Sequence, residues 1–241
     1  MDDPKPLDSL FKEKLFRIPD YQRGYAWQKE QLKDFWEDLV NLNDNRSHYT
    51  GVLTLKEIPI GEISKNSKER WLVDDHSYKM YHIVDGQQRL TTFIIFIQSF
   101  IEFIRSLPEN EGKQDRGIYL TSTLNISHII DKYLFKLKPP NNQFRAYKFG
   151  YSVDNPSDKY MRYRIFFEDG MGTVEETFYT LNLKNAKTYF MEQVEGLYKN
   201  EGWEAVQRLY KTLTKSFLFN EYIIKALVCP FSGQKKAGQV S

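Results

Sequence analysis

Two short stretches hold residue types that can handle phosphate. The first is Asp85-Gly86-Gln87-Gln88-Arg89, between a short apolar run, Tyr81 to Val84, and a long amphipathic one. A strand that ends where a helix begins gathers unpaired backbone N–H groups at the positive end of a helix dipole, which makes an anion site. Gly86 lets a ligand approach the backbone. Arg89 offers a two-pronged fork to phosphate oxygens, and Gln87 and Gln88 donate or accept without adding charge. Asp85 repels phosphate unless a cation lies between, so two readings stay open: it caps the helix, with Gln88 as its capping-box partner, or it holds Mg2+ through water. The second stretch is Tyr21-Gln22-Arg23, in a loop marked by Pro19 and Gly24. The plain alternative there is a solvated arginine and packed tyrosines, with Tyr25 and Trp27 as packing residues.

The elements that must position these residues follow from periodicity. Leu15 to Ile18 reads as a strand. From Gln28 to Leu42, Leu32, Phe35, Trp36, Leu39 and Val40 recur at helical spacing. Tyr49 to Ile58 reads as a strand with Gly51 near its start, and Gly61 to Asp75 as a turn or hairpin tip. The helix after Asp85 runs to about Leu107. It is predicted to be nearly buried, with a narrow polar seam of Gln88, Thr91, Gln98, Glu102 and Arg105. Residues 110–117 read as a linker. Beyond them the chain reads as mostly helical with a polar insertion over 139–172. Asn185 to Tyr198 and Trp203 to Leu213 are the clearest late helices. Another helix is expected over Leu218 to Leu227, and 229–241 as a frayed tail. No internal repeat is visible.

Composition narrows the function classes. With 241 residues the chain can build one large domain or two lobes around a shared core. An aromatic share of 15% predicts a core rich in Phe and Tyr. The net charge of +2 is too small to advertise a nucleic-acid partner, so any DNA contact needs local clustering. Such clustering exists between Lys132 and Arg164, where eight Lys and Arg face two Asp among several tyrosines. Lys138, Arg145, Lys148, Arg162 and Arg164 are the candidate DNA contacts, against the alternative of an ordinary basic surface. A single cysteine, Cys229, excludes an internal disulfide and fits a reducing cytoplasm. The acidic N-terminus is not a signal peptide, and the apolar run Phe93 to Ile97 is too short to span a membrane. None of the four histidines has metal-ligand spacing; Asp74-Asp75-His76 reads as a solvated loop rather than a metal site.

Together, Ile18-Pro19-Asp20-Tyr21-Gln22-Arg23-Gly24-Tyr25-Ala26-Trp27 and Ile83-Val84-Asp85-Gly86-Gln87-Gln88-Arg89-Leu90-Thr91-Thr92 resemble the N-terminal domain of the GmrSD-type restriction-enzyme family. Tyr49-Thr50-Gly51-Val52-Leu53-Thr54-Leu55 fits that family's glycine-bearing strand. The motif-bearing resemblance covers roughly the first 105 residues.

The resemblance implies a ParB/sulfiredoxin-like nucleotide-binding core, placed over 1–108; with the mostly helical lobe over 118–228 and the disordered tail over 229–241 read from the sequence pattern, the expected fold class is α+β. It implies binding and hydrolysis of a nucleoside triphosphate with Mg2+ in bacterial defence against phage, in the cytoplasm. The expected partners are the nucleotide, modified double-stranded DNA, and a nuclease domain or subunit not in this chain. Carried over by position, the implicated residues are Tyr21, Gln22, Arg23 and Gly86 for binding and Asp85, Gln87, Gln88 and Arg89 for catalysis. Arg23 and Arg89 are assigned to phosphates and Asp85 to Mg2+ or water. The family's following phenylalanine- and asparagine-bearing motif has no counterpart, so the chain reads as truncated. A sulfiredoxin reaction is not expected, because Cys229 lies far from the turn in sequence. No nuclease motif is present. Two rival readings stay open: a nucleotide switch without turnover, and a ParB-like DNA-binding module.

Overall fold

The computed structural model describes residues 3–43, 45–142, 144–152, 155–169 and 173–224. Its frame is a six-stranded mixed sheet in the order β1-β8-β3-β4-β2-β7. The strands are β1 (Lys5–Pro6), β2 (Lys14–Ile18), β3 (His48–Glu57), β4 (Lys79–Asp85), β7 (Phe149–Tyr151) and β8 (Phe217–Ile224). A separate hairpin pairs β5 (Phe135–Leu137) with β6 (Arg145–Tyr147). The helices are α1 (Leu7–Leu10), α2 (Lys29–Val40), α3 (Arg70–His76), α4 (Gln87–Ser106), α5 (Ile126–Tyr133), α6 (Pro156–Tyr160) and α7 (Phe178–Lys215). The architecture is α+β, as expected. The sheet draws strands from both ends of the chain, since β7 pairs with β2 and β8 with β3.

Helix α4 is the spine. Leu90, Phe93, Ile94, Ile97, Phe100, Ile101 and Ile104 are all fully buried. Its polar seam is partnered: Gln98 donates to Glu102, Glu102 pairs with Lys187 at 2.9 Å, and Arg105 forks onto Asp115. Burying Gln98 and most of Glu102 is tolerable because each finds a partner, while Arg105 stays partly exposed. The predicted aromatic core is present: Phe35 meets Phe93, Phe190 and Phe217 edge-on at 5.2–5.8 Å. Helix α7 is two helices joined at Gly202, whose φ of 77° breaks the helical path, which matches the two late helices expected.

Two expectations are corrected. The stretch Gly61 to Asp75 contains most of α3, because Leu72 is fully buried in a second small core with Leu15 and Met80. Leu218 to Leu227 is not a helix where it is described: through Ile224 it belongs to strand β8. There Phe217 and Phe219 point into the core at alternate positions, the strand period of two. The expected tail, 229–241, lies outside the described residues.

Candidate functional site

Strands β2, β4 and β7 are mutually parallel, so their C-terminal ends share one edge of the sheet. Ligands of open α/β sheets bind at that edge. The loop after β2 carries Tyr21 to Trp27, while β4 ends on Asp85 and turns at Gly86 into α4. Both motifs thus meet at one place although 60 residues separate them.

Gly86 makes the turn. Its φ of 91° lies in the left-handed region, and a Cβ there would sit 3.0 Å from the Val52 carbonyl oxygen and from Leu53. Gly86, not Asp85, is the N-cap of α4, and no side chain caps the helix. The expected capping box between Asp85 and Gln88 is therefore absent. Gln88 turns to the first loop instead: its Oε1 accepts from the Ala26 N–H at 2.7 Å and its Nε2 donates to the Gly24 carbonyl at 3.0 Å. Gln22 returns the link, donating to the Val84 carbonyl at 2.9 Å. Tyr25, fully buried, shares a hydrogen bond with Thr92, whose hydroxyl in turn donates to the Gln88 carbonyl. The Tyr25 reading as a packing residue holds. Gly24 is needed because a Cβ there would run into Tyr179 at 2.6 Å.

What remains is a cleft of about 380 Å³ lined by Gln22, Arg23, Trp27, Val84, Asp85 and the first residues of α4. Arg23 is exposed and makes no hydrogen bond or ion pair with the described residues. Gln87 is buried, yet its Oε1 has no hydrogen-bond partner. Asp85 is two-thirds exposed and lies 3.9 Å from Arg89 Nη2, a loose pairing. Arg89 donates to the Thr50 carbonyl at 2.6 Å and to the Val52 carbonyl at 3.0 Å. Tyr21 is exposed in the loop and is not among the residues that line the cleft. A roomier hollow of about 600 Å³ is lined by Trp71, Tyr78 and Asp131 but by none of the motif residues.

The cleft can hold an anion: it combines the N-terminus of a 20-residue helix, with no acidic residue in its first turn, and an uncommitted guanidinium. Mg2+ fits only as a companion of such an anion. Among the described residues no three His, Cys, Asp or Glu come together to hold a metal. The exposed oxygen donor at hand is the Asp85 carboxylate, which suits a cation bound mainly by phosphate and water. The Asp74-Asp75-His76 stretch belongs to α3: Asp74 pairs with Arg70 and His76 sits on the Trp71 ring.

The basic candidates differ in exposure and in partners. Lys138 and Arg164 are exposed. Arg145 donates to the Phe166 and Phe167 carbonyls. Lys148 is 3% exposed, its Nζ 3.2 Å from the Tyr78 hydroxyl, and burial pulls its pKa down to about 8. Arg162 pairs with Asp158 at 2.9 Å, beside a second buried pair, Arg17 with Glu69 at 3.1 Å. The position that the sequence reading left without a role is Gly51. A glycine inside a strand was its signal, since it marks a bulge or a close approach.

Among the described residues no helix is long and apolar enough to cross a membrane. No curated protein matches the sequence. The family described as the GmrSD restriction endonuclease N-terminal domain matches residues 7–228, nearly the whole chain. The chain belongs to that family, and its role is in a restriction system.

Proposed function

We propose that the cleft binds a nucleoside triphosphate with Mg2+ and hydrolyses it, and that turnover gates a nuclease carried by another domain or subunit acting on modified phage DNA. The observation that carries the reading is the meeting, in one cleft, of the α4 N-terminus, an unpaired Arg23 and a buried Gln87 oxygen without a partner. A buried acceptor left unpaired costs about 1–3 kcal/mol, which a bound donor or cation would offset. The helix N–H groups and Arg23 take the phosphate oxygens, and Arg89 adds charge at the edge. Asp85 orients the attacking water or the metal's water shell. Water adds to the terminal phosphorus, the bond to the bridging oxygen breaks, and inorganic phosphate and the nucleoside diphosphate leave. Mg2+, when bound, neutralises charge on the phosphates. Positioning and electrostatics supply the acceleration.

The test is a thermal-shift titration with ATP, GTP, CTP and UTP plus Mg2+, followed by phosphate release. Arg23→Ala is the informative variant, because Arg89 also holds β3 whereas Arg23 makes no hydrogen bond or ion pair with the described residues. A melting-temperature rise lost in Arg23→Ala, with phosphate released, supports the reading. A rise without release would make the site a switch. No rise with any nucleotide overturns the proposal and leaves the DNA-binding reading, which requires salt-dependent duplex binding through the 132–164 basics.

A further inference from the structure

Arg89 is seated rather than free. Its guanidinium lies against the backbone of Gly51, where a Cβ would stand 1.7 Å from Nη1. No side chain, not even a methyl group, can share that space. Gly51 also has a φ of 121°, and the pairing of β3 with β8 slips by one residue between Tyr49 and Gly51. The bulge turns the Thr50 and Val52 carbonyls toward the fork, which donates to both. A guanidinium has five N–H donors, so three remain after these two.

We propose that Gly51 is the positioning residue for Arg89: the missing side chain is a seat that fixes the cation at the mouth of the cleft and leaves its remaining donors for the triphosphate. The seat stands on geometry alone; its ligand rests on the nucleotide reading above. Two carbonyls hold the arginine without cancelling its charge, because neither is an anion and Asp85 only grazes it. A cation held in place before the ligand arrives loses little conformational freedom on binding. Lysine cannot substitute, since an ammonium lacks the planar fork that spans both carbonyls.

The experiment compares wild type with Gly51→Ala, Arg89→Ala, Arg89→Lys and the double variant Gly51→Ala/Arg89→Ala. Calorimetric titration uses Mg2+–ATP and Mg2+–tripolyphosphate, and melting temperature is read without ligand. Gly51→Ala and Arg89→Ala should each weaken tripolyphosphate binding by roughly tenfold, the size of a lost charge-assisted hydrogen bond. The double variant should bind no more weakly than Arg89→Ala. Alanine at this φ strains the strand in any background, so a purely structural glycine would lower the melting temperature and leave affinity unchanged. Folded Gly51→Ala that binds like wild type overturns the proposal. So does a double variant that is a further tenfold weaker than Arg89→Ala.

Should Gly51→Ala fail to fold, Arg89→Lys decides: lost affinity supports the seat, and wild-type affinity overturns it. Wild-type protein that binds neither probe would overturn the nucleotide reading instead. The seat would then be judged by melting temperature. A smaller loss from Gly51→Ala in the Arg89→Ala background supports it, and equal losses overturn it.

Discussion

The Gln88 amide is committed at both ends, and each end holds a backbone group of the loop that carries Arg23. Gln88→Ala leaves the Ala26 N–H and the half-enclosed Gly24 carbonyl without these partners. The expected cost is about 1–3 kcal/mol, and about 2–4 °C of melting temperature per kcal/mol in a chain of this size. Calorimetric melting checks it; a change within 1 °C, at a precision of about that size, would mean that water replaces the amide at no cost. The same residue shows where sequence reading stops. The segments 21–23 and 85–89 stand out by residue type, and the structure brings Gln22 and Arg23 to one cleft with 85–89 while Tyr21 stays outside its lining. Yet glutamine has the same donors and acceptors whether it faces a ligand or a carbonyl 64 residues away. Arg89 illustrates this again, because its fork suits phosphate and carbonyls alike. Only the strand-bound glycine beside it hinted at the second use.

At the scale of elements, α6 packs a buried acid against the end of β7. Asp158 is 4% exposed, and burial raises its pKa to about 6 despite the opposing pull of Arg162 and Arg17. A carboxyl whose folded pKa lies above its unfolded value is bound by a proton first in the folded state. Its contribution to stability is full below about pH 4 and is lost as pH rises through about 6. Glu69 has the opposite sign. Burial disfavours its charge, but Arg17, Ser67 and Arg162 outweigh this and hold its pKa down, so its contribution is lost only in acid. Between pH 4 and 6 the Asp158 slope should therefore be visible, and Asp158→Asn should flatten it in denaturant unfolding followed across that range. An unchanged slope would remove Asp158 as its source. Lys148, at the junction of β6 and β7, gives a parallel test. Its ammonium has no carboxylate within ion-pair reach among the described residues, so Lys148→Met should hold or raise stability at pH 7. It should also leave the salt dependence of any DNA binding unchanged, since the residue is interior. A reduced salt slope would show that Lys148 reaches phosphate after all. Sequence could not foresee this. A run of basic residues gives the count of charges, whereas the fold decides which of them meet solvent.

At the scale of the whole molecule, the site depends on a strand from the far end of the chain. Strand β8 lies between β1 and β3, in parallel register with β3 from His48↔Phe217 to Lys56↔Ile224. Its Phe217 and Phe219 reach the Phe93 ring at 5.8 and 5.3 Å, and Glu221 pairs with Lys5 and Lys14. A short apolar run such as Phe217 to Ile224 fits a helix or a strand equally well when read alone; its strand state is set by partners more than 160 residues earlier. Without β8, β3 becomes an edge with a row of unpaired N–H and C=O groups, and the aromatic core opens. A chain ending at Lys215 should therefore show no cooperative melt and should aggregate. The milder Phe219→Ala should cost about 3–5 kcal/mol by leaving a cavity between α4 and the sheet. Because β3 carries the bulge that seats Arg89, the truncated chain should lose any nucleotide binding together with its fold. Circular dichroism melting and gel filtration of the two variants check this. A truncated chain that melts cooperatively as a monomer would show that the sheet closes without β8, and that the site is local to the first half of the chain.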